Sequence, residues 1–469
     1  MPPRLSPLDA SFLYLEQPTT PMHVGAVSIF KRPRAGFDYD TLVALIEQHI
    51  ALVPRYRQKV RHVPGNLARP VWVDDVDFDL AYHVRRSALP RPGSDAQLTE
   101  LVARLMSRPL DAARPLWEMY LVEGVAGGRT AVITKTHQAM VDGISAIDIG
   151  QVILDVATPD GGSGGHPDLW MPRPEPTDLE LVWDAVGEAV ARPGEAVENI
   201  RTAAGDAVAT VGQIVGGVGQ LFTMARTASR RAPGTPLNVD ISSSRRFAIA
   251  RTELEAYRRV RAAHGCTVND VVLSVVAGAL RNWLLSRGEV VTSSSTLRAM
   301  VPLSVRGEAD VPSSAGSVGN RVASFIVDLP VGEPSPVVRL HHVSHAMREH
   351  TAGGQSVGAS ALARVGGFAP PTLHALGARA ASGMSKRIFN LVVSNVPGPQ
   401  FPLYAAGARM LEMFPVVPLA KGQALAIGLT SYDGGVYYGF NADRDAMSDI
   451  DVLAGLVDEA LDELLGTVP

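Results

Sequence analysis

TKTHQAMVDG, Thr134–Gly143, is the stretch on which the reading of this 469-residue chain turns. It follows an apolar, β-branched run, RTAVITKT, so a strand is expected to end on it. The turn that comes next carries an imidazole, an amide, a carboxylate and a glycine: His137, Gln138, Asp142 and Gly143. A hydroxyl nucleophile needs a base beside it at neutral pH, and imidazole is the usual one. A nearby carboxylate fixes the histidine's tautomer or braces the loop, and a glycine permits close backbone approach. His137, Asp142 and Gly143 fit those three tasks, whereas the amide of Gln138 can position or donate a hydrogen bond but cannot take up a proton.

Outward from this stretch the chain alternates strand and helix signals. HVGAVSIF reads as a strand and DTLVALIEQHIAL as an amphipathic helix, which makes the first third mixed α/β. From Thr158 to Pro176, TPDGGSGGHPDLWMPRPEP leaves neither helix nor strand as an option and reads as a linker. The second lobe opens near Arg246. Its clearest helix is TVNDVVLSVVAGALRNWLL, apolar nearly all round, with Thr267 as N-cap and Asp270 as capping-box partner. Strands return at LRAMVPLSVR, NRVASFIVDLP, NLVVSNVPGP, QALAIGLTSYDG and GVYYGFNAD, the last two joined by a DGG hairpin turn. The expected organisation is a lobe over 1–157, a linker and helical crossover over 158–245, and a second lobe over 246–469, in keeping with about 200 residues per domain.

Composition narrows the function. The chain is 46% hydrophobic and 19% charged, as a globular protein is, and a formal charge of -4 gives no general pull toward nucleic acid. The single cysteine, Cys266, excludes an intrachain disulfide and reads as a small buried residue in a reducing compartment. The N-terminus does not read as a signal peptide, and no window of roughly 18 consecutive apolar residues is present, so contact with a membrane is expected only from its surface. The segment from Ala207 to Arg231 suits an anionic lipid surface, although packing across the lobes is the plainer expectation. His341 and His345 have helical metal-pair spacing, but His342 stands where a glutamate is needed and no third ligand is evident, so a helix and no metal is expected. Arg55, Arg57, Lys59 and Arg61 read as a solvated basic face, with a landing site for CoA phosphates or an anionic membrane as the lesser possibility.

LSPLDASFLYLE, PMHVGAVSIF, RPLWEMYLVEG, HQAMVDG, TVNDVVL, VPLSVR, NVPGP and NADRDAMSDI, in this order, resemble the bacterial wax ester synthase/diacylglycerol acyltransferase family of triacylglycerol synthases over nearly the whole chain. The resemblance implies two chloramphenicol-acetyltransferase-like lobes, related also to peptide-synthetase condensation domains, that enclose an interlobe tunnel. It implies acyl-CoA and diacylglycerol or a long-chain alcohol as substrates, no cofactor beyond them, and work in the cytoplasm, on the inner membrane face or on lipid droplets. A monomer or a homodimer is compatible with it.

In the family the base is the second histidine of HHxxxDG, and here Gln138 occupies that position. Three readings follow: His137 takes the base's role, which is the expectation adopted; the alcohol attacks with positioning alone; or the chain binds acyl-CoA or lipid without turnover. The resemblance further implies an ion pair between Asp142 and Arg306, a functional or scaffolding part for Asn269 and Asp270, packing by Trp117, and a channel-lining turn at Asn395, Pro397 and Gly398. Direct transfer is expected, because no serine or cysteine sits in a nucleophile elbow.

Overall fold

A computed structural model describes residues 2–32, 36–141, 153–154, 170–191, 232–305, 321–352 and 388–468. The strands are β1 (His23–Lys31), β2 (Gln58–Arg61), β3 (Val71–Asp74), β4 (Val84–Ala88), β5 (Trp117–Val125), β6 (Arg129–His137), β7 (Arg245–Glu253), β8 (Leu297–Val305), β9 (Arg321–Leu329), β10 (Leu391–Pro397), β11 (Tyr404–Ala405), β12 (Ala408–Val416), β13 (Leu425–Tyr432) and β14 (Gly435–Asp443). The helices are α1 (Pro7–Leu15), α2 (Tyr39–His49), α3 (Leu80–His83), α4 (Asp95–Met106), α5 (Asp178–Ala191), α6 (Leu254–His264), α7 (Val268–Ser286), α8 (Pro336–Ala352) and α9 (Ile450–Leu465). Two six-stranded sheets result, in the orders β11-β12-β1-β6-β5-β4 and β7-β14-β13-β10-β8-β9, beside a β2-β3 hairpin.

Local sequence explains most of these elements. Asp433 and Gly434, with φ of 45° and 86°, turn β13 into β14 as a two-residue hairpin, and only residues tolerant of positive φ close it with the right twist. The capping box of α7 forms as read from TVND, with the Asp270 backbone N–H donating to the Thr267 hydroxyl at 3.1 Å and the Thr267 N–H to the Asp270 carboxylate at 2.9 Å. Although α7 is long and apolar enough to cross a membrane, it is buried in the core of the second sheet among α6, α8 and α9. His341 and His345 lie exposed on α8.

Three expectations change. The strand β12 was not among those read from sequence, and with β11 it joins the first sheet, where β12 pairs antiparallel with β1. Residues of the expected second lobe thus extend the sheet that carries the motif. The basic quartet is not a solvated face. Arg55 and Arg57 lie over the Trp72 and Trp170 rings, Lys59 contacts Asp75 at 3.4 Å and Glu175 at 3.1 Å, and Arg61 meets Asp178 at 2.9 Å. The pairings of Arg57, Lys59 and Arg61 fasten residues 170–178 onto β2 and the turn before it, since each of these cations finds a ring or a carboxylate there. Cys266 is only partly buried, and burial still raises its thiol pKa.

The two sheets meet where β12 crosses β13 and β14. Gly428 and Gly439 are register partners on those strands, and both face Pro415 of β12. A Cβ on Gly439 would come within 2.0 Å of the Pro415 carbonyl oxygen, and one on Gly428 within 2.8 Å of the Val417 side chain. Around this crossing Phe247 of β7 joins Leu98 and Val102 of α4 and Phe414 and Val416 of β12 in one apolar cluster. Arg251 ties its rim by pairing with Asp95 and Glu412, both at 2.8 Å. Gly439→Val is expected to cost about 3 kcal/mol or more, because the obstacle is backbone and cannot rotate away. Denaturant unfolding checks this, and a midpoint equal to wild type would refute the close crossing.

Candidate active site

The strand β6 lies between β1 and β5 and delivers His137 at its end. Both neighbours hold the chain there: the His137 N–H donates to the Leu116 carbonyl at 2.9 Å and the Gln138 N–H to the Met22 carbonyl at 2.8 Å. Trp117, opposite Thr136, supplies the bulk behind the strand. Its indole N–H donates to the Tyr56 carbonyl at 2.8 Å and its ring stacks on His83 at 4.7 Å. Packing is therefore what Trp117 does, as its size suggests.

His137 is 1% exposed. Its Nδ1 accepts the Ala139 backbone N–H at 3.0 Å, and its Nε2 lies 3.6 Å from Glu16 Oε2. A nitrogen that accepts carries no proton, so the neutral ring in this arrangement holds its hydrogen on Nε2, toward the carboxylate. Nδ1 is thereby committed to a backbone donor, while the protonated Nε2 faces Glu16 without a hydrogen bond of its own. Gln138 is half-buried at the head of the turn that packs against α1.

Two residues that spacing alone did not single out complete this cluster. His23, in register with His137 across the β1–β6 pair, is buried, and its Nε2 lies 3.6 Å from the other oxygen of Glu16. The same oxygen accepts the Met22 N–H at 3.3 Å. Burial first, then the neighbouring Lys135 ammonium and His137, push the His23 pKa well below the ordinary histidine value, against an opposite contribution from the Met106 backbone. Lys135 is itself buried, donates to the Arg108 carbonyl at 2.6 Å and faces Glu118 at 3.6 Å; desolvation lowers its pKa. Glu16 and His23 stand in LSPLDASFLYLE and PMHVG, but nothing linear in the sequence places 16, 23 and 137 together.

The second half contributes a separate pair. Asn395 Nδ2 donates to Asn269 Oδ1 at 3.1 Å, so the NVPGP turn and the start of α7 meet. Asp270 is buried and spent on its capping box. Pro397 is exposed, and Gly398 is required because a Cβ there would come 2.5 Å from the Ser431 carbonyl oxygen. Among the described residues no hydrogen bond joins this pair to the His137 cluster. Asp142, Gly143 and Arg306, with the ion pair expected between the first and last of them, lie outside the described residues, as does the segment from Ala207 to Arg231.

A buried neutral His23 makes stability depend on pH with a definite sign. Its folded pKa lies below the unfolded value of about 6.5, so its contribution is complete above that value and is lost as pH falls toward the folded pKa. The melting temperature is expected to fall on acidification below about pH 6.5, and less steeply in His23→Gln. Parallel melting curves across pH for the two proteins would contradict the burial of a neutral ring.

Comparison with known proteins places this fold and motif among known relatives. The wax ester synthase/diacylglycerol acyltransferase catalytic domain matches residues 5–272 and the C-terminal domain of the same family residues 318–465. A probable diacylglycerol O-acyltransferase of Mycobacterium tuberculosis, tgs3, is 49% identical over 56% of this chain and 97% of its own length. A second, tgs1, is 32% identical over 98% of this chain and 95% of its own. The solved wax ester synthase/diacylglycerol acyltransferase of Marinobacter aquaeolei VT8 superposes with a TM-score of 0.68 at 28% identity, covering 98% of each chain. The first condensation domain of the CDA synthetase, with a TM-score of 0.57 at 16% identity over 100% of this chain and 97% of that one, shares the two-lobed α/β fold. With both family domains in place, in order and across nearly its full length, the chain belongs to the wax ester synthase/diacylglycerol acyltransferase family.

Proposed function

We propose that this protein is an acyl-CoA-dependent diacylglycerol O-acyltransferase that moves the acyl group directly from thioester to hydroxyl, and that it does so without an imidazole base. The observation that carries the substrate reading is the full-length similarity to tgs1. Diacylglycerol is insoluble in water, so the reading also places the work at a lipid–water interface. Long-chain alcohols fit the same chemistry as second acceptors.

The absence of an imidazole base rests on the commitments of His137. For it to take the acceptor's proton on Nδ1, the bond from the Ala139 N–H must first be given up, and Nε2 already bears hydrogen in the neutral ring. In this reading His137 supports the turn, Gln138 orients a substrate by hydrogen bonding, and the alcohol attacks the thioester carbonyl with positioning and electrostatic help alone; the C–S bond breaks as the C–O bond forms, and the hydroxyl proton passes, through water, to the departing CoA sulfur. Such an enzyme forfeits the roughly 10²–10⁴-fold that general-base catalysis supplies. A non-catalytic acyl-CoA-binding protein is the second reading, and Gln138 is the residue that favours it.

Formation of triacylglycerol from diacylglycerol and a labelled long-chain acyl-CoA decides among these. Wild type is expected to turn over slowly, and Gln138→His to accelerate it by about 10²-fold, within the range a general base provides. His137→Ala should lower the rate without changing the form of the pH–rate profile. A fast wild type whose rate follows one ionisation, abolished in His137→Ala, would return the base to His137. No turnover in wild type, with acyl-CoA still bound, would favour the binding protein.

A further inference from the structure

Between the C-terminal end of α4 and the start of β7 lies a cavity of about 610 Å³. Its walls carry Arg104, Arg108, Arg245, Arg246 and Arg444 against two carboxylates, Glu100 and Asp451, in a chain whose formal charge is -4. Gathering like charges around one hollow is unfavourable unless an anion fills it. Two of the arginines are structural. Arg245 is buried and donates to the carbonyls of Ser242, Ser244 and Thr19, and Arg246 pairs with Asp451 at 2.6 Å. The other three, Arg104, Arg108 and Arg444, are exposed and make no ion pair among the described residues. The partial negative charge at the end of α4 accounts for a cation at Arg104, in its last turn, but not for the others.

The cavity adjoins the motif through three short connections. The Arg108 carbonyl takes the ammonium of Lys135, two residues before His137 on β6. Ser107 accepts the Arg245 backbone N–H at 3.0 Å, which joins α4 to β7, and the Arg245 guanidinium donates to Thr19, three residues after Glu16. We propose that this cavity receives the phosphates of the acyl-CoA nucleotide, so that the pantetheine arm runs from it toward the end of β6. Guanidinium groups suit phosphate oxygens by paired, charge-assisted hydrogen bonds, and the 3′-phosphate and pyrophosphate of CoA supply the clustered negative charge that the three unpaired arginines lack. The proposal rests on acyl-CoA being the donor.

Calorimetric titration of the full chain with CoA and with adenosine 3′,5′-bisphosphate tests it, comparing wild type with Arg108→Glu and with Arg444→Glu. Affinity for both ligands should fall by at least about tenfold, the scale of one lost charged hydrogen bond, while the melting temperature holds. Turnover of an acyl-N-acetylcysteamine thioester, which lacks the nucleotide, should be unchanged. Unaltered CoA affinity in both variants would overturn the assignment and leave the transferase reading standing. Loss of sedimentation with phosphatidylglycerol vesicles, with CoA binding intact, would give the arginines to a lipid surface and overturn it equally. Failure of wild type to bind CoA at all would remove the donor reading and this site with it.

Discussion

Pro415 lies across the Gly428–Gly439 pair, and no side chain larger than hydrogen fits beneath it. The arrangement of the molecule depends on this crossing. It lets the chain leave the second sheet after β10 and add β11 and β12 to the first. There β12 pairs with β1, β1 with β6, and β6 ends at His137. The position of the motif is thus fixed from both halves, and the cluster of Phe247, Phe414, Val416 and the buried face of α4 fills the space beside the crossing. The arginine-lined cavity lies at the same junction, between α4 of the first half and β7 of the second.

At the motif the turn is held by its backbone and its packing, whatever stands at position 138. The backbone clamps on His137 and Gln138 and the Trp117 packing hold the turn in place beside the Glu16–His23–His137 cluster. None of these requires a free imidazole lone pair. The glutamine at position 138 cannot act as a base but has a side chain able to donate to and accept from a substrate. The proposed weakening of the transferase would need only that one exchange, without any change in the sheet.

Much of the fold was legible in the sequence. RTAVITKT, the DGG turn and the capping box at Thr267 and Asp270 act through neighbours in the chain, and each formed where local chemistry put it. The destination of β12 was not legible, because its burial does not alternate cleanly and its partner β1 is nearly four hundred residues away in sequence. The same limit applies at the site. Asn269 and Asn395 could be singled out separately from their motifs, but only the folded chain brings them to 3.1 Å, and Glu16 and His23 acquire meaning only beside His137. The quartet from Arg55 to Arg61 misled for a related reason: its rings and carboxylates come from segments distant in the chain.

In the function proposed above, His137 has no free lone pair to offer an acceptor hydroxyl. Nitrogen NMR of the chain labelled at its histidine rings reads this directly, with the His137 signals among twelve histidines identified by their loss in a His137 substitution. A ring protonated at Nε2 is expected, with Nδ1 unprotonated and shifted by its hydrogen bond from Ala139. A ring protonated at Nδ1, with Nε2 bare and free to accept a proton, would contradict it and restore His137 as the base.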